Sequence, residues 1–137
     1  MTVAGACHCG AVRFEVTLSD GLASGRRCDC SFCTMRGAVA VSAKVGDLAI
    51  TRGSEALTRY TFGTHVAEHY FCSRCGIYTH HRRRSNPDEF GVNLACLEGR
   101  SPFLPKVEVN DGRNHPSDVG TSRVAGILRF TPTEEAP

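Results

Sequence analysis

Cys28-Asp29-Cys30-Ser31-Phe32-Cys33 places three cysteines within six residues, in the pattern C-x-C-x-x-C. Working outward, Cys7-His8-Cys9 stands before it and Cys72-Ser73-Arg74-Cys75 after it, so seven of the eight cysteines fall in three tight groups. Thiolates this close converge on one ion with little loop to order. Such spacing suits Zn²⁺, which takes Cys ligands in tetrahedral geometry. Four thiolates close a zinc site, and three leave a position open. Two pairs and a triplet therefore read as one closed site and one open site, and an open metal position is where chemistry happens.

Composition fits this reading. The chain has 137 residues, the size of a single domain spanning 1–137, with 41% hydrophobic residues, too apolar for a disordered segment. A net charge of +2 gives no reason to expect a nucleic-acid partner. The 14 glycines and the absence of Trp suit a turn-rich β protein. No apolar run approaches the roughly 20 residues of a membrane helix. Met1 to Ala6 carries no basic region leading into an apolar one, so the expected location is cytoplasmic. Thiols there stay reduced, which turns the cysteines from disulfides toward metal.

Along the chain, Val12, Phe14, Val16 and Leu18 alternate with Arg13, Glu15 and Thr17, the period of a half-buried strand. Ala38 to Ala43 and Leu48 to Arg52 read as two further short strands. Leu57 to Phe62 follows, with Tyr60 and Phe62 on one face. Ile77 to His81 leaves the last cysteine pair as a strand, and Phe90, Val92, Leu94 and Cys96 again alternate. The tail holds apolar runs at 107–109 and 124–130. No long segment has the helical period, so the expected fold is all-β.

Cys7, Cys9, Cys72 and Cys75 are the candidates for the closed, structural site, which would staple the first strand to the middle of the sheet and be coupled to folding. Cys28, Cys30 and Cys33 are the candidates for the open one, although sequence leaves the pairing of groups permutable. Three thiolates on Zn²⁺ leave a net charge of −1, a weak Lewis acid that acidifies water poorly. A soft exogenous thiolate is the ligand such a site favours. The competing reading is a second structural zinc whose fourth ligand is a histidine or Cys96. Cys96 shares the face of Phe90, Val92 and Leu94 and reads first as a core thiol. His80 and His81 are adjacent in a strand, so at most one can face a given site. Arg82-Arg83-Arg84 reads as a solvated loop or as a carboxylate clamp.

The three motifs, with their flanking Gly5, Gly10, Phe71 and Gly76 and the later Gly91-Val92-Asn93-Leu94-Ala95-Cys96-Leu97, resemble the glutathione-dependent formaldehyde-activating enzyme family, which includes centromere protein V. The resemblance implies a β-tent, an all-β fold of short antiparallel sheets also seen in Mss4-like proteins. It implies two zinc ions per chain, with Cys7, Cys9, Cys72 and Cys75 as structural ligands and Cys28, Cys30 and Cys33 as ligands of the catalytic zinc. It further implies a carbon–sulfur lyase that condenses glutathione, or another small thiol, with formaldehyde or a similar small aldehyde. The alternative is a non-catalytic, zinc-stabilised binding module. Access separates the two, since an enzyme needs its open metal at the floor of a pocket.

Overall fold

The computed structural model describes residues 2–134. Its first strands are β1 (Thr2–Ala6) and β2 (Arg13–Leu18), paired antiparallel with Gly5 opposite Phe14. The alternation in β2 works as expected. Phe14 and Val16 are fully buried while Arg13 and Glu15 stay exposed. Burying a side chain of this size contributes about 1.5–3 kcal/mol.

The reading of two strands at 38–43 and 48–52 is corrected. They are one strand, β4 (Ala40–Arg52). Its first half pairs with β8 (Glu89–Asn93), Ala40 opposite Asn93 through Lys44 opposite Glu89. Its second half pairs with β2, and the register jumps between Val16, opposite Leu48, and Leu18, opposite Ala43. The extra residues form a bulge that bends the strand from one partner to the other. Burial changes at the same place, from four buried residues to a mostly exposed run, and that loss of pattern resembles a turn in sequence.

The remaining strands are β3 (Arg26–Cys28), β5 (Leu57–Tyr60), β6 (Glu68–Cys72), β7 (Tyr78–Arg82), β9 (Lys106–Asn110) and β10 (Val124–Arg129). They join in one ten-stranded sheet in the order β10-β9-β3-β4-β8-β7-β6-β5, with β1 and β2 attached through β4. All pairs are antiparallel except β3 with β9, which sets Cys28 beside Asn110. The fold is all-β, as expected, and no helix among the described residues is long and apolar enough to cross a membrane.

Two short helices interrupt the strands, α1 (Ser31–Arg36) and α2 (Pro116–Val119). The alternation that begins at Phe90 also ends sooner than the sequence suggests. After Asn93 the chain makes a 3-10 turn over Leu94–Cys96, capped by the Asn93 side chain. The main core joins Phe14, Val16, Val41, Val92, Leu94 and Val107. A second, smaller cluster holds Cys7, Val12, Ala56 and Cys72.

Candidate metal centres

The first and last cysteine motifs fold alike. In one, the Gly10 amide donates to Cys7 O at 3.1 Å; in the other, the Gly76 amide donates to Cys72 O at 2.7 Å. Gly10 and Gly76 have φ of 78° and 76°, a left-handed conformation that glycine adopts without steric cost. Each turn then points an amide at sulfur. Val12 N–H donates to Cys7 Sγ at 3.3 Å, and Arg74 N–H donates to Cys72 Sγ at 3.4 Å. Hydrogen bonds to sulfur favour its thiolate form.

These two turns meet. Cys7 Sγ lies 3.7 Å from Cys9 Sγ, which lies 3.8 Å from Cys72 Sγ, and all four sulfurs, Cys75 included, lie within 4.8 Å of one another. Four thiolates around a tetrahedral ion with bonds of about 2.3 Å sit about 3.8 Å apart, so the donor set fits such an ion. Cys7 and Cys72 are buried in the smaller core cluster. The sequence left the pairing of the motifs open, and the structure joins the first to the last.

Cys28, Cys30 and Cys33 form the other group, again within 4.8 Å of one another. Cys28 ends β3. Cys30 caps α1, its sulfur accepting from Cys33 N–H at 3.3 Å, and Cys28 Sγ accepts from Cys30 N–H at 3.4 Å. The strand end and the helix start thus converge three sulfurs with no long loop to order. The Cys28 and Cys33 thiols hydrogen-bond to Cys30 and hold it far below the usual thiol range, while the same pairing pushes theirs up. Neither Cys96 nor any histidine completes this group among the described residues.

The three sulfurs lie on the wall of an open cleft of about 1250 Å³, which none of Cys7, Cys9, Cys72 and Cys75 lines. Arginine dominates the cleft, with Arg27, Arg83, Arg84 and Arg113 among its walls, against Asp29, Asp111 and Asp118. One wall comes from the tail. Asp29 Oδ1, inside the metal loop, accepts from the amides of Gly112 and Arg113 at 2.8 and 3.3 Å. Gly112 packs so closely on Cys28 Sγ and Cys30 that a Cβ there would strike them.

The histidines divide as strand geometry requires. His80 stacks on Tyr70, with ring centroids 4.6 Å apart, and meets Phe90 edge-on. His81 points the other way, stacks on His69 at 5.3 Å and lines the cleft with it. Burial lowers the His80 pKa to about 4; burial, with Arg36 adding to it, does the same to His69 and holds His81 well below its ordinary range. His8 is exposed, and His115 caps α2 by accepting from Ser117 N–H at 3.0 Å.

The arginine run is neither a bare loop nor a free clamp. Arg82 donates to Pro87 O, Arg83 bonds Glu89 at 2.7 Å and Arg84 pairs with Asp118. Cys96 is buried in the main core and donates weakly to Tyr78 O at 3.5 Å. Sequence reasoning missed Arg36, whose guanidinium reaches both Cys33 and His69. Gly37, the left-handed residue that ends α1, was the available signal for a helix that would carry it there.

Comparison with known proteins agrees with this geometry. The family model described as glutathione-dependent formaldehyde-activating enzyme matches residues 2–111. A crystal structure of a Rhodobacter sphaeroides protein is similar, with 62% sequence identity, a TM-score of 0.71, and coverage of 72% of this chain and 91% of that chain. Both cysteine centres lie inside the region matched by the family model, whereas the tail wall from Gly112 onward lies outside it.

Proposed function

The chain belongs to the glutathione-dependent formaldehyde-activating enzyme family, and from that premise we propose that it is a zinc-dependent enzyme of the carbon–sulfur lyase type that joins a small thiol to a small aldehyde. The observation that carries this reading is the difference in access. The three-cysteine centre opens on the cleft and the four-cysteine centre does not.

In this reading Cys7, Cys9, Cys72 and Cys75 hold a structural zinc, and Cys28, Cys30 and Cys33 hold a second one. When bound there, zinc supplies a fourth coordination position suited to an exogenous sulfur, which it keeps as thiolate. The protein's own groups supply the rest. The amides of Cys30 and Cys33 fix two of the ligand sulfurs. Arg27 and Arg113, which line the cleft without an ion pair among the described residues, suit the carboxylates of a thiol such as glutathione. Overall, the thiol's sulfur bonds to the aldehyde carbon, the thiol proton ends on the aldehyde oxygen, and a hemithioacetal results. Nothing is oxidised, so no redox cofactor is required, and the reaction runs in both directions.

Thiol–aldehyde exchange also proceeds without a catalyst, so the test is acceleration above that background. Exchange NMR of glutathione with formaldehyde, with and without catalytic amounts of protein, should show faster interconversion with the intact chain. Cys30→Ser should return it to the background rate. If glutathione and a panel of small thiols show no acceleration with metal-replete protein, the binding-module reading replaces this one.

A further inference from the structure

Arg36 is a cleft arginine whose charge meets no carboxylate among the described residues. Three cleft arginines are paired, Arg83 with Glu89, Arg84 with Asp118 and Arg123 with Asp111, while Arg26, Arg27 and Arg113 form no ion pair among the described residues. Arg36 differs from these in reaching a ligand sulfur. The Arg36 guanidinium instead donates through Nη2 to Cys33 Sγ at 3.5 Å and through Nη1 to His69 Nδ1 at 2.8 Å. The Tyr78 ring lies against it, 3.8 Å from guanidinium carbon to ring centroid, and the Phe32 ring lies at 4.9 Å. A guanidinium only donates, so His69 Nδ1 must accept and the imidazole proton sits on Nε2. His69 is therefore a neutral partner. Tyr78 and Phe32 are neutral as well. Among the described residues, the one group Arg36 touches that a bound metal would turn into an anion is the Cys33 sulfur.

We propose that Arg36 is a positioning residue for the ligand of the second metal centre: its charge, delivered to Cys33 Sγ, lets a centre that already holds three thiolates accept a fourth anionic ligand from the cleft. The inference rests on the reading that the open position takes a thiolate. A divalent ion with three thiolates carries net charge −1, and an entering thiolate makes it −2. In a partly desolvated cleft that addition is opposed, and a fixed positive charge beside one of the sulfurs offsets it. The hydrogen bond also draws electron density from Cys33, so the ion retains more appetite for the incoming sulfur. Arginine suits the task because its planar fork reaches two acceptors at once while aromatic rings hold its faces.

The test uses cobalt-loaded protein and 2-mercaptoethanol, a thiol whose only charge is the thiolate itself, with imidazole as a neutral ligand for the same position. Sulfur-to-cobalt charge-transfer absorption reports thiolate entry, and the ligand-field bands report imidazole. Arg36→Met and Arg36→Gln should each weaken thiolate binding about tenfold or more while changing imidazole binding by less than about twofold. Arg36→Lys, which keeps the charge, should recover most of the loss. Equal weakening for both ligands would make Arg36 a structural support and overturn the proposal, as would unchanged thiolate affinity. Failure of both uncharged variants to hold the second cobalt would also overturn it, because Arg36 would then serve the metal and not the entering ligand. If the intact chain itself ignores the thiol, the open-site reading fails. If the intact chain responds and Arg36→Met responds equally, only the present inference fails.

Discussion

At one cysteine centre, Cys9 and Cys72 meet from positions 63 residues apart, and Cys7 and Cys72 are buried with Val12 and Ala56. At the other, three sulfurs arrive from a single strand end and helix start, and the space beside them is an open cleft. Both use the same chemistry, sulfur with amides aimed at it. What differs is what each closes. The first joins the end of β1 to the end of β6 and so carries chain-closure entropy that metal binding repays. The second closes almost no chain and is free to leave a position open.

The largest test of this difference is thermal stability. Cys72→Ser should cost on the order of 5 kcal/mol or more, because binding at a closed site is part of folding free energy, and a loss of that size removes much of an ordinary domain's stability. Cys30→Ser should cost much less, about 1–2 kcal/mol, because serine replaces cysteine at the cap of α1 and is itself a favoured cap residue. Thermal unfolding of both variants checks this. Comparable losses in the two would erase the distinction.

Metal release should divide the same way. Elemental analysis of reduced protein is expected to find two metal ions per chain. A hydrophilic chelator should remove one of them quickly through the cleft and the other much more slowly, because Cys7 and Cys72 are buried and four thiolates fill its coordination, although Cys9 is exposed. A single release phase for both would mean that access does not separate the centres.

Acid provides a third test, away from both centres. His80 is buried between Tyr70 and Phe90 with its pKa lowered to about 4. Its folded value lies below the unfolded value near 6.5, so the unfolded chain binds the extra proton between those limits. The contribution to stability is therefore intact above about pH 6.5 and lost as pH falls toward 4, amounting to roughly 1 kcal/mol by pH 5.5. His80→Gln should show a smaller drop in stability than the intact chain between pH 7 and 5.5. Acid-driven loss of metal is common to both proteins and cancels in the comparison.

How far the sequence revealed this arrangement depended on how local each feature was. The cysteine groups were legible because ligand spacing is local, and the alternation of β2 was legible because a strand with one buried face has period two. The pairing of the groups was not, since it depends on which distant turns meet. β4 reads as two strands because a bulge hides its continuity. α1 has six residues and buries none, so it offers no apolar period. The cleft wall at Gly112 and Arg113 depends on β3 pairing in parallel with β9, a long-range choice that nothing in the tail announces. Arg36 could be found only once that short helix was known.

The smallest expected effect concerns the eighth cysteine, which decides whether the division into four and three is complete. Cys96 is buried in the main core, its thiol donates weakly to Tyr78 O, and burial pushes its pKa up to about 12. A thiol in that setting keeps its proton and packs as a small apolar group. Cys96→Ala should therefore retain both metal ions and lose about 1 kcal/mol, the cost of one small buried side chain. The shift belongs in the unfolding midpoint, with metal content and thiol-dependent spectra unchanged. Loss of a metal ion in this variant would make Cys96 a fourth ligand reached by rearrangement. The second centre would then be closed like the first, and the contrast between a structural and an open site would fail.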